Sequence, residues 1–389
     1  ENASTTFNVH VPEFVDAIWV ALRDPKQAVR ERAVEALRAC LHVIEKRETR
    51  WRVQWYYRMC EAAQVGLGKN ASVHSIHGSL LAVGELLRNT GEFMMSRYRE
   101  VADIVLTYLK HRDQLVRRSI TSLLPRIAHF LRDRFVTNYL KICMEHILFV
   151  LRTPDERASG FVALGEMAGA LGAELVPSLP SITPLLHEAI APRRGRPSLE
   201  AITCVGSFAK AMGLAMERHI RGGLLDAMFS AGLSDKLVDA LESISTSIPS
   251  LLPTIQERLL DCIAQALPKS STRSGSTVSR ATRSNSFQHF VDSSGPVLVQ
   301  LALRTLANFN FKGHELLELA RESVILYLED EDSSTRKAAA ICCCRLVAHS
   351  LSASSTSQFS SNRSNRMGGA KRRRLVEEDS GKTSYCCSC

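Results

Sequence analysis

One pattern recurs along this chain of 389 residues: an acidic residue in a short turn, followed by an arginine on the next helix. The clearest copy runs from Asp24 to Cys40. Asp24-Pro25 is predicted as the turn, with Pro25 at the first helical position and Asp24 capping the free N–H groups. The helix is predicted to bury one apolar stripe and to leave Arg30, Glu31, Glu35 and Arg38 outside it. The stripe consists of Val29, Ala33, Ala36, Leu37 and Cys40.

The pattern returns at the spacing of one helical hairpin. HEAT and armadillo repeats run roughly 40–47 residues. The signature arginines are 87, 40 and 179 residues apart, which corresponds to two, one and four repeats. The sequence therefore predicts an all-α chain with a HEAT/armadillo-like α-solenoid superhelix. The predicted repeat signature consists of Asp24, Pro25, Val29, Arg30, Asp113, Val116, Arg117, Asp155, Arg157, Asp332 and Arg336.

Composition divides the chain into five predicted segments. Residues 1–267 are predicted as a HEAT solenoid and residues 297–349 as a hairpin that continues it. Residues 268–296 are rich in Ser and Arg and poor in aliphatic side chains, which predicts a disordered linker. Residues 350–378 are predicted as a polar linker with a basic run, and residues 379–389 as an atypical tail. Because the chain starts with Glu rather than Met, we expect it to be a fragment of a longer protein.

An aromatic and charged stretch runs from Glu45 to Arg58 and is predicted as a longer segment between repeats. Large aromatic side chains are frequent anchors of protein interfaces. They can equally cover the end of the solenoid itself, and both interpretations stay open at this stage. The residues concerned are Trp51, Trp55, Tyr56 and Tyr57.

The sequence predicts no catalytic site, no metal site and no cofactor in this chain. His74 and His77 are spaced i, i+3, but no third ligand stands near them at a suitable spacing. The triplet His111–Asp113 resembles the H-R-D of protein kinases, which requires an Asn five residues after the Asp. That position is Arg118, so the triplet is interpreted as a repeat turn. The scattered cysteines indicate a reducing compartment with buried thiols.

Charge and hydropathy limit the predicted partners. The net charge of +9 is dispersed along helices and polar segments rather than gathered with aromatic residues, so no nucleic-acid binding is expected. No apolar run approaches the ~20 residues of a membrane span, so no transmembrane segment is expected. Ser286, three residues after Arg283, is a candidate phosphosite. A basic run is a candidate nuclear signal or a solvated loop: Lys371, Arg372, Arg373 and Arg374.

Five long blocks carry a more specific resemblance. The chain resembles the N-terminal HEAT region of target of rapamycin (TOR) serine/threonine protein kinases, and is most similar to the plant form. The resemblance is collinear and covers essentially residues 5–378. The blocks are Asp24–Leu41, Gln54–Arg58 (Q-W-Y-Y-R), Ile76–Leu81 (I-H-G-S-L-L), Ser122–Ala128 (S-L-L-P-R-I-A) and Ala302–His314 (A-L-R-T-L-A-N-F-N-F-K-G-H).

The resemblance implies a scaffold within a very large kinase. The family's N-terminal solenoid docks a large substrate-presenting regulatory subunit of the TOR complex, and a small propeller subunit lies on the distant kinase domain. ATP and Mg belong to that kinase domain, whose motifs this chain lacks. The implied localisation is cytoplasmic, with nuclear or endomembrane association through partners. The alternative is a free-standing HEAT adaptor or a nuclear-transport-type receptor.

The resemblance ends abruptly after Glu378. In the family, K-R-R-R-L-V-E-E leads into another apolar helix, whereas here it leads into D-S-G-K-T-S-Y-C-C-S-C. We interpret this tail as the product of a shifted reading frame or a truncated transcript.

Overall fold

A computed structural model describes five ranges of the chain, and all regular structure within them is helical. The described residues fall into two compact units, 10–267 together with 295–311, and 312–364. The described ranges are 10–46, 49–90, 95–192, 195–267 and 295–364.

The first unit is built from α-helices of 6 to 19 residues, most of them joined by short turns. Short 3-10 or π-helical turns lead into α7, α9, α11 and α13. The helices are α1 (Val11–Ala21), α2 (Gln27–Glu45), α3 (Thr49–Val65), α4 (Val73–Asn89), α5 (Met95–Leu106), α6 (Gln114–Phe130), α7 (Leu140–Arg152), α8 (Arg157–Leu171), α9 (Leu179–Ile190), α10 (Leu199–Met212), α11 (Leu225–Ser230), α12 (Asp235–Ser247), α13 (Leu252–Ala266) and α14 (Gly295–Asn308).

The even-numbered helices form one continuous row. Each contacts the next, from α2 through α4, α6, α8 and α10 to α12, and the odd-numbered helices pack beside them. Fully buried side chains such as Leu37, Leu80, Val116 and Phe208 fill the row. Each hairpin thus buries its apolar face on its neighbours, which is the architecture of a HEAT solenoid and confirms the predicted fold class.

Two glycines permit close approach of neighbouring elements. A Cβ at Gly78 of α4 would lie 1.8 Å from the carbonyl oxygen of Leu22, and a Cβ at Gly206 of α10 would lie 2.8 Å from the Cα of Ala240 on α12. Real Cβ atoms essentially never come within 3.0 Å of another heavy atom. These contacts therefore set how closely the hairpins stack.

The predicted start of α2 was wrong by two residues. The helix begins at Gln27 with Lys26 as its N-cap residue, so Pro25 lies before the helix rather than at its first position. Asp24 accepts a hydrogen bond from the backbone N–H of Lys26 at 2.7 Å and closes the turn instead of capping the helix. At the start of α12, by contrast, the hydroxyl of Ser234 accepts from the N–H of Leu237 and caps the helix.

The aromatic stretch is not a segment between repeats. From Thr49 onward it forms α3, the first helix of the second hairpin, which contacts α4. Residues 47 and 48 lie outside the described ranges. Helical periodicity was hidden in the sequence because aromatic and charged residues occupy both faces of this helix.

The second unit forms its own hairpin. Leu317–Leu319, Ala320–Val324 and Ile325–Glu329 make a chain of short helical turns that contacts α15 (Ser333–Ser364). Helix α15 continues past position 349, so the first part of the predicted polar linker is helical. Four predictions lie wholly or mainly outside the described residues: the linker 268–296, of which only Gly295 and Pro296 are described, at the start of α14; the phosphosite at Ser286; the basic run 371–374; and the tail 379–389.

Two stretches are long and apolar enough to cross a membrane by composition alone, Arg157–Ile190 and Leu199–Ser230. Each is interrupted by a glycine with positive φ, Gly172 at 57° and Gly213 at 53°, where one hairpin passes to the next. Each stretch is therefore two packed solenoid helices, which does not show a membrane span.

Candidate interaction surface

The signature arginines all bind the turn that precedes their own helix. Nη1 of Arg30, Arg117 and Arg336 donates to the backbone carbonyls six and five positions earlier, at 2.7 and 2.8 Å, 2.9 and 2.8 Å, and 2.6 and 2.9 Å, respectively. Arg157 donates through Nε to the carbonyl of Leu151 at 2.9 Å. The carbonyls bound by Arg30, Arg117 and Arg336 lie in the turn after the preceding helical segment, and that of Leu151 lies in the last turn of α7. Each guanidinium therefore ties its helix to the preceding part of the chain and fixes the angle of the hairpin.

Two of the signature aspartates cap the helix that follows. The side chain of Asp113 accepts from the backbone N–H groups of Leu115 and Val116 at 2.9 and 3.4 Å. Asp332 accepts from both the N–H and the hydroxyl of Thr335, at 2.7 and 2.8 Å. Of the signature valines, Val116 is fully buried and Val29 half-buried.

The third repeat turn uses a different acid. Asp155 is exposed and no side chain caps α8, whose N-cap residue is Glu156. The Glu156 side chain is buried and accepts from Nε of Arg117 at 3.3 Å and from its Nη2. Asp155 therefore does not act as the predicted cap, and the buried acid of this turn, Glu156, binds an arginine one repeat away instead.

Arg30 is buried, contrary to the prediction that it lies outside the apolar stripe. Its side chain is 1% exposed, and burial lowers its pKa. Nε donates to Nδ1 of His77 at 3.0 Å, while Nη1 binds the turn carbonyls. The guanidinium can be buried because several of its donors find acceptors.

His77 acts as an acceptor for Arg30. Burial, followed by the charge of Arg30, lowers the pKa of His77 to about 4. The ring is therefore neutral at pH 7, with Nδ1 occupied by the hydrogen bond from Arg30. Nδ1 of His74 lies 3.5 Å from Nη1 of the same arginine. Within the described residues no group of three or more His, Cys, Asp or Glu could hold a metal ion.

A second inter-repeat ion pair joins α2 to α4. Arg38 donates through Nε and Nη2 to the two carboxylate oxygens of Glu85, both at 2.9 Å, and the Glu85 side chain is 5% exposed. Burial acts to raise the pKa of Glu85, but the hydrogen bonds from Arg38 and the charge of Arg88 hold it below its usual value. Charge-assisted, two-point pairs of this kind specify geometry as well as charge.

The buried thiols are poor nucleophiles. Burial raises the pKa of Cys40 and Cys143 to about 12 and that of Cys60 to about 11. The triplet Cys342–Cys344 passes from buried to half-buried to exposed, because consecutive helical residues point about 100° apart. These cysteines therefore pack in the interior or lie separately on the surface.

Helix α3 divides its aromatic residues between core and surface. Tyr56 is buried in the core, as the interpretation of a covered solenoid requires. Trp51 is 54% exposed, and Trp55 and Tyr57 are half-buried. One of the four aromatic side chains thus packs in the core, while the other three remain accessible to a partner.

Arginines order two of these accessible rings. The guanidinium of Arg58 lies 5.2 Å from the ring centre of Trp55, and that of Arg97 lies 5.4 Å from the ring centre of Tyr57. Both distances are within the range of cation–π attraction. We call Trp51, Trp55, Tyr57, Arg58 and Arg97 the α3 aromatic surface.

Comparison with known proteins decides the family. No family model matches the chain. It is 92% identical over 331 residues to the serine/threonine-protein kinase TOR of Oryza sativa subsp. japonica, and 72% identical over 340 residues to that of Arabidopsis thaliana. The chain is a segment of a plant-type TOR protein. Each alignment covers 85% of this chain and 13% of the relative, so the chain spans about an eighth of the length of these proteins.

Solved structures agree on the fold. A chain of the Kap95:Nup1 complex aligns with a TM-score of 0.56 over 84% of this chain and 41% of that one, and importin beta aligns with 0.54 over 86% and 42%. Sequence identity is 12% in both cases, so the likeness concerns the HEAT-type solenoid alone.

Proposed function

We propose that this chain is a protein-binding scaffold segment of a TOR kinase that docks a large, substrate-presenting regulatory subunit. The observation that supports the proposal is the α3 aromatic surface. Tryptophan, tyrosine and arginine are the residue types enriched at the energetic centres of protein interfaces. A solenoid presents such residues on a long, continuous surface suited to contact at several points.

Order within the surface favours binding. The side chains of Arg58 and Arg97 each contact an aromatic ring before any partner arrives. Less side-chain freedom is then lost on association, which improves affinity. The exposed ring of Trp51 supplies apolar area that a partner would remove from water.

The proposal separates docking from chemistry. Phosphoryl transfer, with ATP and Mg, is assigned to the kinase domain of the whole protein, and this chain positions the subunit that brings substrates. The proposed localisation of the chain is the cytoplasm, with any nuclear or endomembrane association arising through partners.

The test compares two exposed aromatic side chains. The full chain is titrated against the immobilised regulatory subunit as wild type, Trp51→Ala and Phe149→Ala, since both side chains are 54% exposed and they lie on different helices, α3 and α7. A central tryptophan contributes about 2 kcal/mol or more, so Trp51→Ala should weaken binding at least about tenfold. Phe149→Ala should leave it unchanged.

Two results would count against the proposal. Failure of the folded wild-type chain to bind the subunit would overturn docking itself. Loss of binding in Phe149→Ala with none in Trp51→Ala would retain docking but move it from the α3 aromatic surface to α7. Circular dichroism of each variant confirms that it is folded.

A further inference from the structure

An open groove lies between α12 and α14 in the first unit. Asp235, Asp239 and Glu242 project from α12 at spacings of four and three residues, so they share one helix face. Val238 and Leu301 supply apolar walls. The volume of about 210 Å³ is below the ~300–1,000 Å³ of pockets for drug-sized ligands, so it suits a single side chain. We call this site the acidic groove.

Within the described part of the chain, Asp235 and Asp239 have only long ion pairs and Glu242 has none; Arg304, the partner of Asp235, itself lines the groove. The cations within 4 Å are Lys236, 3.9 Å from Asp239, and Arg304, 3.9 Å from Asp235. Both distances exceed that of a hydrogen bond, and both lysine and arginine side chains are more than half exposed. Partial burial, followed by the charge of Asp239, raises the pKa of Glu242. A cation in the groove would favour the charged form of the Glu242 carboxylate and so oppose this rise in pKa.

A buried hydroxyl points independently to a hydrogen-bonding ligand. Thr305 of α14 lines the groove and is 3% exposed, yet its Oγ1 has no hydrogen-bond partner among the described residues. Buried polar groups are normally hydrogen-bonded, and an unpaired one costs free energy. The hydroxyl oxygen can accept from an N–H group, so a ligand with several donors would satisfy it together with the carboxylates.

We propose that the acidic groove binds an arginine side chain of a partner polypeptide. The aliphatic stem lies between Val238 and Leu301, and the guanidinium donates to Asp239, Glu242 and the hydroxyl of Thr305. Arginine fits better than lysine because its planar fork offers five donors in fixed directions. This site is separate from the α3 aromatic surface and does not depend on which subunit docks there.

The experiment detects the side chain directly. The full chain, deuterated and carrying labelled Leu and Val methyl groups, is titrated with the tripeptide acetyl-Gly-Arg-Gly-amide. The methyl signals of Val238 and Leu301 should shift and saturate with a Kd below about 10 mM. The same peptide with citrulline, which has the shape of arginine without its charge, should cause no saturable shift. Equal shifts with both peptides, or none with either, would overturn the proposal.

A charge-matched pair of variants separates the groove from general attraction. Asp239→Asn/Glu242→Gln should weaken arginine binding at least about fivefold, since two ion pairs are lost. Glu145→Gln/Glu174→Gln removes the same charge from exposed sites on α7 and in the turn before α9, and should bind as the wild type does. The same loss in both double variants would mean that only net charge attracts the peptide, and the groove would be rejected.

The hydroxyl provides a second readout. Thr305→Val keeps the shape of the side chain and removes an oxygen that has no internal partner. It should leave the melting temperature unchanged or raise it, while weakening the arginine peptide about twofold to tenfold. A lower melting temperature with unchanged affinity would show that the hydroxyl serves the fold, and would contradict its assignment to the ligand.

Discussion

The guanidinium of Arg117 holds the buried carboxylate of Glu156 in a two-point ion pair while it also binds two carbonyls of its own repeat turn. Arg117 belongs to α6, and Glu156 ends the turn before α8. The Glu156 side chain is 1% exposed. One side chain thus fixes the angle of its own hairpin and the register of the next.

Replacing Arg117 with methionine should be strongly destabilising. Arg117→Met would leave the Glu156 carboxylate buried without its partner, which costs about 3–5 kcal/mol. The double variant Arg117→Met/Glu156→Leu should recover most of that loss, because an apolar pair removes both buried charges. Urea unfolding at pH 7, followed by circular dichroism, measures both. If Arg117→Met loses less stability than the double variant does, the ion pair does not fix the register of the two hairpins.

An added methyl group should destabilise the chain at one helix glycine and be tolerated at another. In Gly206→Ala the new Cβ would meet backbone of α12 at 2.8 Å, so α10 and α12 must separate, at a cost of about 1–3 kcal/mol. In Gly169→Ala, on α8, no atom lies within 4 Å of the new Cβ. This control should gain about 0.5–1 kcal/mol from helix propensity. Thermal unfolding distinguishes them, and a loss of stability in both would contradict the close contact.

The sequence predicted the hairpins well because apolar periodicity and turn residues are local signals. It could not place Arg30 inside, since burial of an arginine depends on acceptors contributed by His77 from another repeat. Partners such as Arg38 and Glu85 lie 47 residues apart, and Arg117 and Glu156 lie 39 apart. Opposite charges one repeat apart are therefore the signal that could have found these pairs. The acidic groove is lined by residues of α12 and α14, which are separated in the sequence by α13 and residues 268–294. No single repeat therefore contains all the residues of the groove.

Two aspartates with the same place in the sequence pattern should behave differently. Asp113→Ala removes the side chain that accepts from two N–H groups at the start of α6 and should cost about 1 kcal/mol. Asp155→Ala removes an exposed side chain that does not cap α8, and should change stability by less than about 0.5 kcal/mol. Chemical unfolding of the two variants gives the comparison, and equal losses would mean that Asp155 caps its helix in solution.

Acid should destabilise the solenoid through His77. Its pKa is about 4 in the folded chain because of burial and the charges of Arg30 and His74, which outweigh the opposing charges of Glu31 and Asp113. The ordinary value is 6.5, so between these values the unfolded chain binds more protons and stability falls as pH falls. The expected loss between pH 7 and pH 5 is about 2 kcal/mol from this residue.

The variant His77→Asn isolates that contribution. The amide oxygen of asparagine can still accept from Nε of Arg30, but it does not titrate, so His77→Asn should lose about 2 kcal/mol less than the wild type between pH 7 and pH 5. His146, whose burial lowers its pKa to about 4 as well, supplies a remaining acid dependence in both proteins. His187→Asn, at an exposed histidine of α9, controls for the removal of one imidazole. Urea unfolding across this pH range provides the measurement. Parallel curves for wild type and His77→Asn would mean that His77 is not held neutral by its burial against Arg30.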